Sequence, residues 1–564
     1  MRHPRSLALL FLPLVVLGCD AGPDDEPVPI DRAAAESAAE AIEAEELMTH
    51  VARLSSDAFG GRAPATPGED STVAYLTEQF RARGLQPGNP DGSWTQPLTL
   101  VGIRSEAEGS IQVDGRDIGL SYPDEFVAVS YRDGASVSVD GSEVVFVGYG
   151  VDAPEYEWDD YAGQDMSGKT LIMLVNDPPV RVEGDTAALD PHMFNGEAMT
   201  YYGRWTYKYD IGAEKGADAV IIVHETGPAG YPWGVVSGSW GGENFDIVSE
   251  GGGEPLKVEG WITREKAEEL FAAAGHDFEE LKAAARHRGF EPVPLGATAD
   301  FAIDMTRRTV ESRNVAAKVE GDTHPDEYIV YTAHWDHLGT DPSLTEDSIY
   351  NGAMDNATGT GGLLEVAEAF KALPEPPARS ILFLAVTAEE QGLLGARYYA
   401  ENPLYPLDRT LANINLDGLN IWGPTEDVVV VGYGSSSLEE VLRTYAGQQG
   451  RTLTPDPESE KGYYYRSDHF EFAKKGVPAL YVDAGTRYRD RPEGWGEARM
   501  AQWTEEDYHQ PSDEITDEWD LAGAVEDLRL LFLVGYDVAE SETWPTWNEG
   551  NEFRATRQEM LGTR

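Results

Sequence analysis

The chain has 564 residues, enough for two to four domains at roughly 150 residues each, and its 41% hydrophobic content supplies packed cores and excludes a disordered polymer. Asp and Glu number 100 against 43 Lys and Arg, a net charge of −57 that repels polyanions and excludes nucleic-acid binding. The one cysteine, Cys19, has no partner for an intrachain disulfide and rules out cysteine-based zinc sites.

Residues 1–19, MRHPRSLALLFLPLVVLGC, open with Arg2 and Arg5, run apolar from Leu7 to Leu17 and end on Gly18-Cys19, the pattern of an export signal. The apolar run falls short of the roughly 20 residues of a membrane span and is broken by Pro13. Leu17-Gly18-Cys19 resembles a bacterial lipobox. That resemblance implies cleavage of residues 1–18, acylation of Cys19, and an exported protein held on a membrane by its lipid, facing the periplasm or the cell exterior. Residues 19–35 then read as the lipidated Cys and a Pro/Asp-rich tether.

Apolar spacing predicts one helix from Glu36 to about Leu54 and a second over Val73 to Phe80. Short β runs separated by Gly and Asp turns follow between 95 and 150, including 126–129 and 144–147. Strand-like runs at 170–175 and 219–223 flank a short helix near 211–216. From Asn314 onward the runs YIVYTA (328–333), SILFLAVTA (380–388), LANINLD (411–417) and PALYVD (478–483) are near-continuous apolar strands of the kind buried on both faces. They alternate with amphipathic helices over 359–373, 392–402, 436–449 and 519–536, which predicts an α/β domain with a mainly parallel central sheet.

Parallel sheets place ligands beyond the carboxyl ends of their strands. His334-Trp335-Asp336-His337 follows the first of these strands, Glu389-Glu390 follows the second, and the third ends on Asp417. Asp355 lies in the loop leading into the helix at 359, and His509 in a polar loop before the last helix. Nitrogen and oxygen donors of this mix suit zinc, cobalt or manganese, and the surplus of carboxylates favours a two-metal site with one carboxylate bridging. Two adjacent glutamates ending an apolar strand repel each other unless a dication is near. A serine-hydrolase reading needs a Gly-x-Ser-x-Gly turn between strand and helix, and the sequence has none there.

AHWDHLG, NGAMDNATGTGG, TAEEQGLLGA, NINLDGLN and DYHQPSD, in that order, resemble the M28 family of zinc aminopeptidases, together with Gly60-Gly61-Arg62 early in the chain and Arg466-Ser467-Asp468-His469 late. The middle stretch, with YDIGAEKGADAVIIV, resembles the protease-associated domain inserted in this family. The resemblance implies a zinc-exopeptidase fold of the phosphorylase/hydrolase-like type over 36–135 and 300–540, a β-rich insert at 136–299, and a C-terminal tail at 541–564. It further implies two divalent ions, zinc in kind: one on His334 and Asp417, one on Glu390 and His509, with Asp355 bridging. Glu389 falls on the general base, Asp336 on the carboxylate that orients His334, and the peptide bond from Asp355 to Asn356 on a cis bond. Peptides are then the substrates, cut after the first residue, and no protein partner follows. A carboxypeptidase, for which Arg466 and Arg487 offer cations, and a single-zinc glutaminyl cyclase are the alternatives on this scaffold. A tethered binding protein is a third, disfavoured because no ligand position is lost.

Overall fold

The computed structural model describes residues 30–182, 184, 188–248 and 255–562. The leader and Cys19 lie outside them. No helix among the described residues is long and apolar enough to cross a membrane.

A single mixed sheet forms the spine. Its order runs Thr452–Pro455, Asp427–Val431, Ala479–Asp483, Thr410–Asn415, His324–His334, Arg379–Val386, Val293–Val319, Ser136–Phe146, Thr170–Leu174, Ala219–His224, Val258–Thr263 and Phe126–Val129. The apolar runs expected after Asn314 are its centre. Ala479–Asp483, Thr410–Asn415, His324–His334 and Arg379–Val386 run parallel to one another, and their three pairings keep a residue-by-residue register at the site end. Every residue of Arg379–Val386 and Thr410–Asn415 is buried, because helices Gly359–Ala372 and Ala522–Glu540 cover one face and Leu394–Glu401 and His469–Lys474 the other.

Two long strands were not legible as such. Thr95–Val113 and Val293–Val319 pair antiparallel from Val113 opposite Ala297 to Thr95 opposite Val315. Their burial alternates, with one face covered and Gly and charged residues on the other, so the sequence reads as short runs and turns. These strands carry the sheet from one hydrophobic core to the next. The first core joins residues 35–85 to the later strands and helices, including Phe80, Tyr331, Phe370 and Phe383. The second gathers apolar residues from Ile103 to Met305, so residues 103–135, expected in the first catalytic segment, pack with the insert instead.

The helix expected from Glu36 to Leu54 is two, Arg32–Ala39 and Ala44–Leu54. Between them Ile42 turns fully into the core, and the Glu43 N–H donates to Glu365 Oε2 at 3.2 Å. The second expected helix is longer, Pro67–Ala82, with Thr66 accepting the Gly68 N–H and Pro67 preset for its first turn. The segment after 540 is no loose tail, since Trp547 and Phe553 are buried against Tyr464 and Tyr465.

Phe383 is fully buried, with ring centroids of Tyr331, Phe370 and Phe80 at 5.8, 6.0 and 6.2 Å. Phe383→Ala is expected to cost about 3–5 kcal/mol through lost burial and an incompletely filled cavity. The check is the denaturant midpoint of the catalytic unit; a shift worth less than about 1 kcal/mol would contradict this packing.

Candidate functional site

The parallel strands bring four of the expected residues to one edge of the sheet. His334 ends His324–His334, Glu389 and Glu390 lie just past Arg379–Val386, and Asp417 lies just past Thr410–Asn415. Asp355 enters from the turn Ala353–Thr358 ahead of helix Gly359–Ala372, and its peptide bond to Asn356 is cis. His509 comes from the loop after helix Trp495–Glu506.

The distances separate two sets of donors around one carboxylate. His334 Nε2 lies 3.3 Å from Asp355 Oδ1 and 3.2 Å from Asp417 Oδ1. His509 Nε2 lies 3.2 Å from Asp355 Oδ2 and 3.0 Å from Glu390 Oε2. Asp355 therefore presents one oxygen to each imidazole. Glu389 lies somewhat farther out, with Oε2 4.0 Å from His334 Nε2, yet its carboxylate, His334 and Glu390 also bring donor atoms within 4.8 Å of one another. Donor atoms of His334, Asp355 and Asp417 lie within 4.8 Å of one another, as do those of His337, Asp355 and Glu390.

The field of this cluster calls for positive charge. Burial opposes it, yet the carboxylates of Glu389 and Asp417 hold the His334 imidazole well above its ordinary range. Glu390 and Asp355 do the same for His509, also against burial. Burial would lift the Asp355 carboxyl, but hydrogen bonds from His334 and His509 hold it well below the usual carboxylate range. Glu390, likewise against burial, is held down to about 2 by His509 and His337. Burial, and then the charges of Glu390, Asp417 and Asp468, push Glu389 well above the ordinary value. Imidazole and carboxylate donors packed this closely fit divalent cations, which supply the charge the carboxylates demand.

Asp336 acts differently from the expected orientation of His334. Its carboxylate Oδ1 lies 3.9 Å from His334 Nδ1 and accepts the Glu389 N–H at 3.1 Å, while its backbone carbonyl stands 3.2 Å from that Nδ1. The strand-end turn thus offers His334 Nδ1 a main-chain acceptor nearer than the Asp336 carboxylate, which also holds the Glu389 N–H.

Four supports were missed by sequence reasoning. His337, fully buried, sets Nδ1 2.5 Å from Glu390 Oε1; its place three residues after His334 was the available signal. Asp513 accepts the N–H groups of Met354 and Asp355 at 3.0 Å each and so fixes the backbone that carries the Asp355 carboxylate. Arg62, buried beneath the site, donates to the carbonyls of Leu54, Trp335, Asn351 and Gly352 at 2.7–2.9 Å. Gly352 sits at φ +53°, where a Cβ would meet the Asp355 carbonyl oxygen at 2.3 Å. Ser467 adds a hydroxyl donated to Asp417 Oδ2.

Residues 314–533 match the model of Peptidase family M28, a span that holds all six residues of the cluster. Aminopeptidase NAALADL1 of Mus musculus is 34% identical over 137 residues, 23% of this chain and 17% of that protein. Aminopeptidase YwaD of Bacillus subtilis is 30% identical over 219 residues, 37% of this chain and 41% of that protein. The chain thus spans about two fifths or less of the length of these curated relatives. The solved structure of an aminopeptidase from Aneurinibacillus sp. strain AM-1 aligns over 89% of this chain and 95% of that one, at 17% identity and a TM-score of 0.48.

Arg62→Lys keeps the charge and loses the fork that reaches carbonyls of three separate segments. It is expected to lower stability by about 2–3 kcal/mol, because buried carbonyls lose charge-assisted donors. Thermal unfolding of the purified variant checks this; an unchanged midpoint would show that Arg62 does not brace the site.

Proposed function

We propose, for a chain whose residues 314–533 belong to peptidase family M28, that the strand-end cluster is the active site of a metal-dependent exopeptidase that removes N-terminal residues from peptides. The observation that carries this reading is Asp355 set between His334 and His509, each paired with a further carboxylate. His334 and Asp417 would hold one ion, Glu390 and His509 a second, and Asp355 both. The all-imidazole and carboxylate donor set suits zinc. Bound dications supply Lewis acidity that lowers the pKa of water and polarises the carbonyl of the peptide.

The chain's own residues do the rest. Glu389 takes a proton from the attacking water and returns it to the leaving amine nitrogen. Asp336 holds the Glu389 main chain in place for that transfer. The rim of surplus carboxylate attracts the free α-amine of a peptide, so cutting stops at the first residue. His337 and Ser467 keep Glu390 and Asp417 oriented, since ligand geometry depends on such outer hydrogen bonds. The leader-like residues 1–19 support a further element of the proposal: the enzyme works outside the cytoplasm, held on a membrane by lipid at Cys19.

Glu389→Gln keeps size and hydrogen bonding but cannot accept a proton. Its metal content is expected to hold while turnover falls by about 10²–10⁴-fold. Glu390→Gln is expected to lose metal and to regain part of its activity with added zinc, because a neutral amide is a poor ligand. Rescue of the Glu389 variant by zinc, with the Glu390 variant left dead, would reverse the two roles. N-acetylated peptides are expected to resist hydrolysis by the wild type; their cleavage would overturn the aminopeptidase assignment.

A further inference from the structure

A strand buried on every residue is expected to carry apolar side chains, and Thr410–Asn415 departs from that at Asn413 and Asn415. Successive side chains alternate between faces, so the two asparagines share one face of the sheet. On the neighbouring strand Thr332 pairs with Asn415 and Val330 with Asn413. Val330, Leu382, Leu384 and Phe472 belong to the apolar cluster on this side of the sheet. Two residues on from Thr332 is His334, and two on from Asn415 is Asp417. Ser467, just ahead of helix His469–Lys474, closes the end of this polar stripe. Thr332, Asn413, Asn415 and Ser467 are all buried, none more than 3% exposed. Polar groups withdrawn from water in this way are costly unless they are hydrogen-bonded, so where their bonds go matters.

Those bonds run in one direction. Asn413 Nδ2 donates to Thr332 Oγ1 at 3.1 Å and, more loosely, to the Val330 carbonyl at 3.5 Å. Thr332 Oγ1 donates to Asn415 Oδ1 at 2.6 Å, Asn415 Nδ2 donates to Ser467 Oγ at 2.7 Å, and Ser467 donates to Asp417 Oδ2. A hydroxyl has one hydrogen to give. Because Asn415 donates into Ser467 Oγ, the Ser467 hydrogen is directed at Asp417. Because Thr332 donates to Asn415 Oδ1, the Asn415 amide is held with its nitrogen toward Ser467. The far end of the row, Asn413 Oδ1, is buried without a partner. Aligned donors polarise one another, and the whole row turns its positive ends toward one carboxylate.

The two oxygens of Asp417 are thereby given different tasks. Oδ2 takes the Ser467 hydroxyl, and Oδ1 lies 3.2 Å from His334 Nε2. Asp355, with a donor oxygen within 4.8 Å of that of Asp417, repels it, and the row opposes that repulsion from behind. Glu390 is held by a single imidazole, that of His337, whereas Asp417 is held by a row of four side chains reaching into the sheet.

We propose that Thr332, Asn413 and Asn415 are positioning residues for Asp417: acting through Ser467, they set which carboxylate oxygen is left for the ion and hold it beside His334 before the ion arrives. The sheet interior then governs the affinity of the ion on His334 and Asp417, and the ion on Glu390 and His509 lies outside its reach. Outer hydrogen bonds of this kind orient metal ligands and tune their hold on the ion. This inference rests on the two-ion reading of the site.

The test is titration of the metal-free protein with cobalt(II), whose visible absorption reports each ion and its ligands apart from turnover. Ser467→Ala is expected to weaken one ion about 10- to 100-fold, the usual worth of an outer bond to a metal ligand. Thr332→Val keeps the side chain's shape and removes the hydroxyl; it is expected to weaken the same ion about 3- to 10-fold, to shift its absorption band, and to leave the other ion within about twofold. Thr332→Ser restores the hydroxyl and is expected to bind both ions as the wild type does. In a Ser467→Ala background, Thr332→Val is expected to add less than about twofold, because its path to Asp417 is already cut. A Thr332→Val protein that binds both ions as tightly as the wild type, that loses both equally, or that adds its full effect to that of Ser467→Ala overturns the proposal, and so does a Thr332→Ser protein no better than Thr332→Val. If Thr332→Val does not fold, neutron diffraction from deuterium-exchanged wild-type crystals decides: the Ser467 deuteron directed at Asp417 and the Thr332 deuteron at Asn415 support the row, and either one pointing elsewhere overturns it. One ion in place of two in the wild type would contradict the two-ion reading alone, with the Thr332→Val loss on that ion still deciding the row.

Discussion

Mutual repulsion among closely packed, largely covered carboxylates is the constraint on which the rest of this structure depends. Asp355, Glu389, Glu390 and Asp417 are gathered at the end of one sheet, where water is scarce and like charges raise each other's cost. Left alone, such a group would spread or take up protons. It stays gathered because each member is fixed from behind: Asp355 through the backbone by Asp513, Glu390 by His337, Asp417 by Ser467, and Glu389 through its N–H by Asp336. Arg62 ties the turns that carry them from beneath. Rigid placement of repelling ligands is what prepares a site for dications, because the ions then relieve strain in the field that folding has already built.

The sheet does more than carry the ligands. Its long antiparallel pair, Thr95–Val113 with Val293–Val319, runs through both hydrophobic cores, so the insert grows out of the catalytic sheet rather than hanging from a flexible linker. That continuity sets Tyr201 against Tyr465 and Phe470, on either side of Arg466 and Ser467.

Much of the site was legible in the sequence because its carriers are buried on both faces. The runs at 328–333 and 380–388 are almost wholly apolar, the run at 411–417 interrupts its apolar residues only with Asn413 and Asn415 before ending on Asp417, and the charged residues at their ends mark the strand ends. What was not legible depends on partners distant in the chain. Residues 103–135 look like short turns and strands until Val293–Val319 is present to pair with Thr95–Val113. The break between Ala39 and Ala44 exists because Glu365, more than 300 residues on, takes the Glu43 N–H. Spacing alone did not say that the Asp336 carbonyl stands nearer His334 Nδ1 than its carboxylate does, or that the carboxylate also accepts the Glu389 N–H. Arg62 stood in a quoted motif, but its four carbonyl partners are visible only once the turns around Asn351 and Trp335 come together.

The central claim is that one carboxylate, Asp355, is shared between two ions. Elemental analysis of active, exhaustively dialysed protein, with activity followed as ions are removed and restored one equivalent at a time, tests it most directly. The account predicts two ions per chain, and an Asp355→Asn variant that loses its hold on both together. Full activity with a single ion per chain, or loss of only one ion in that variant, would contradict it.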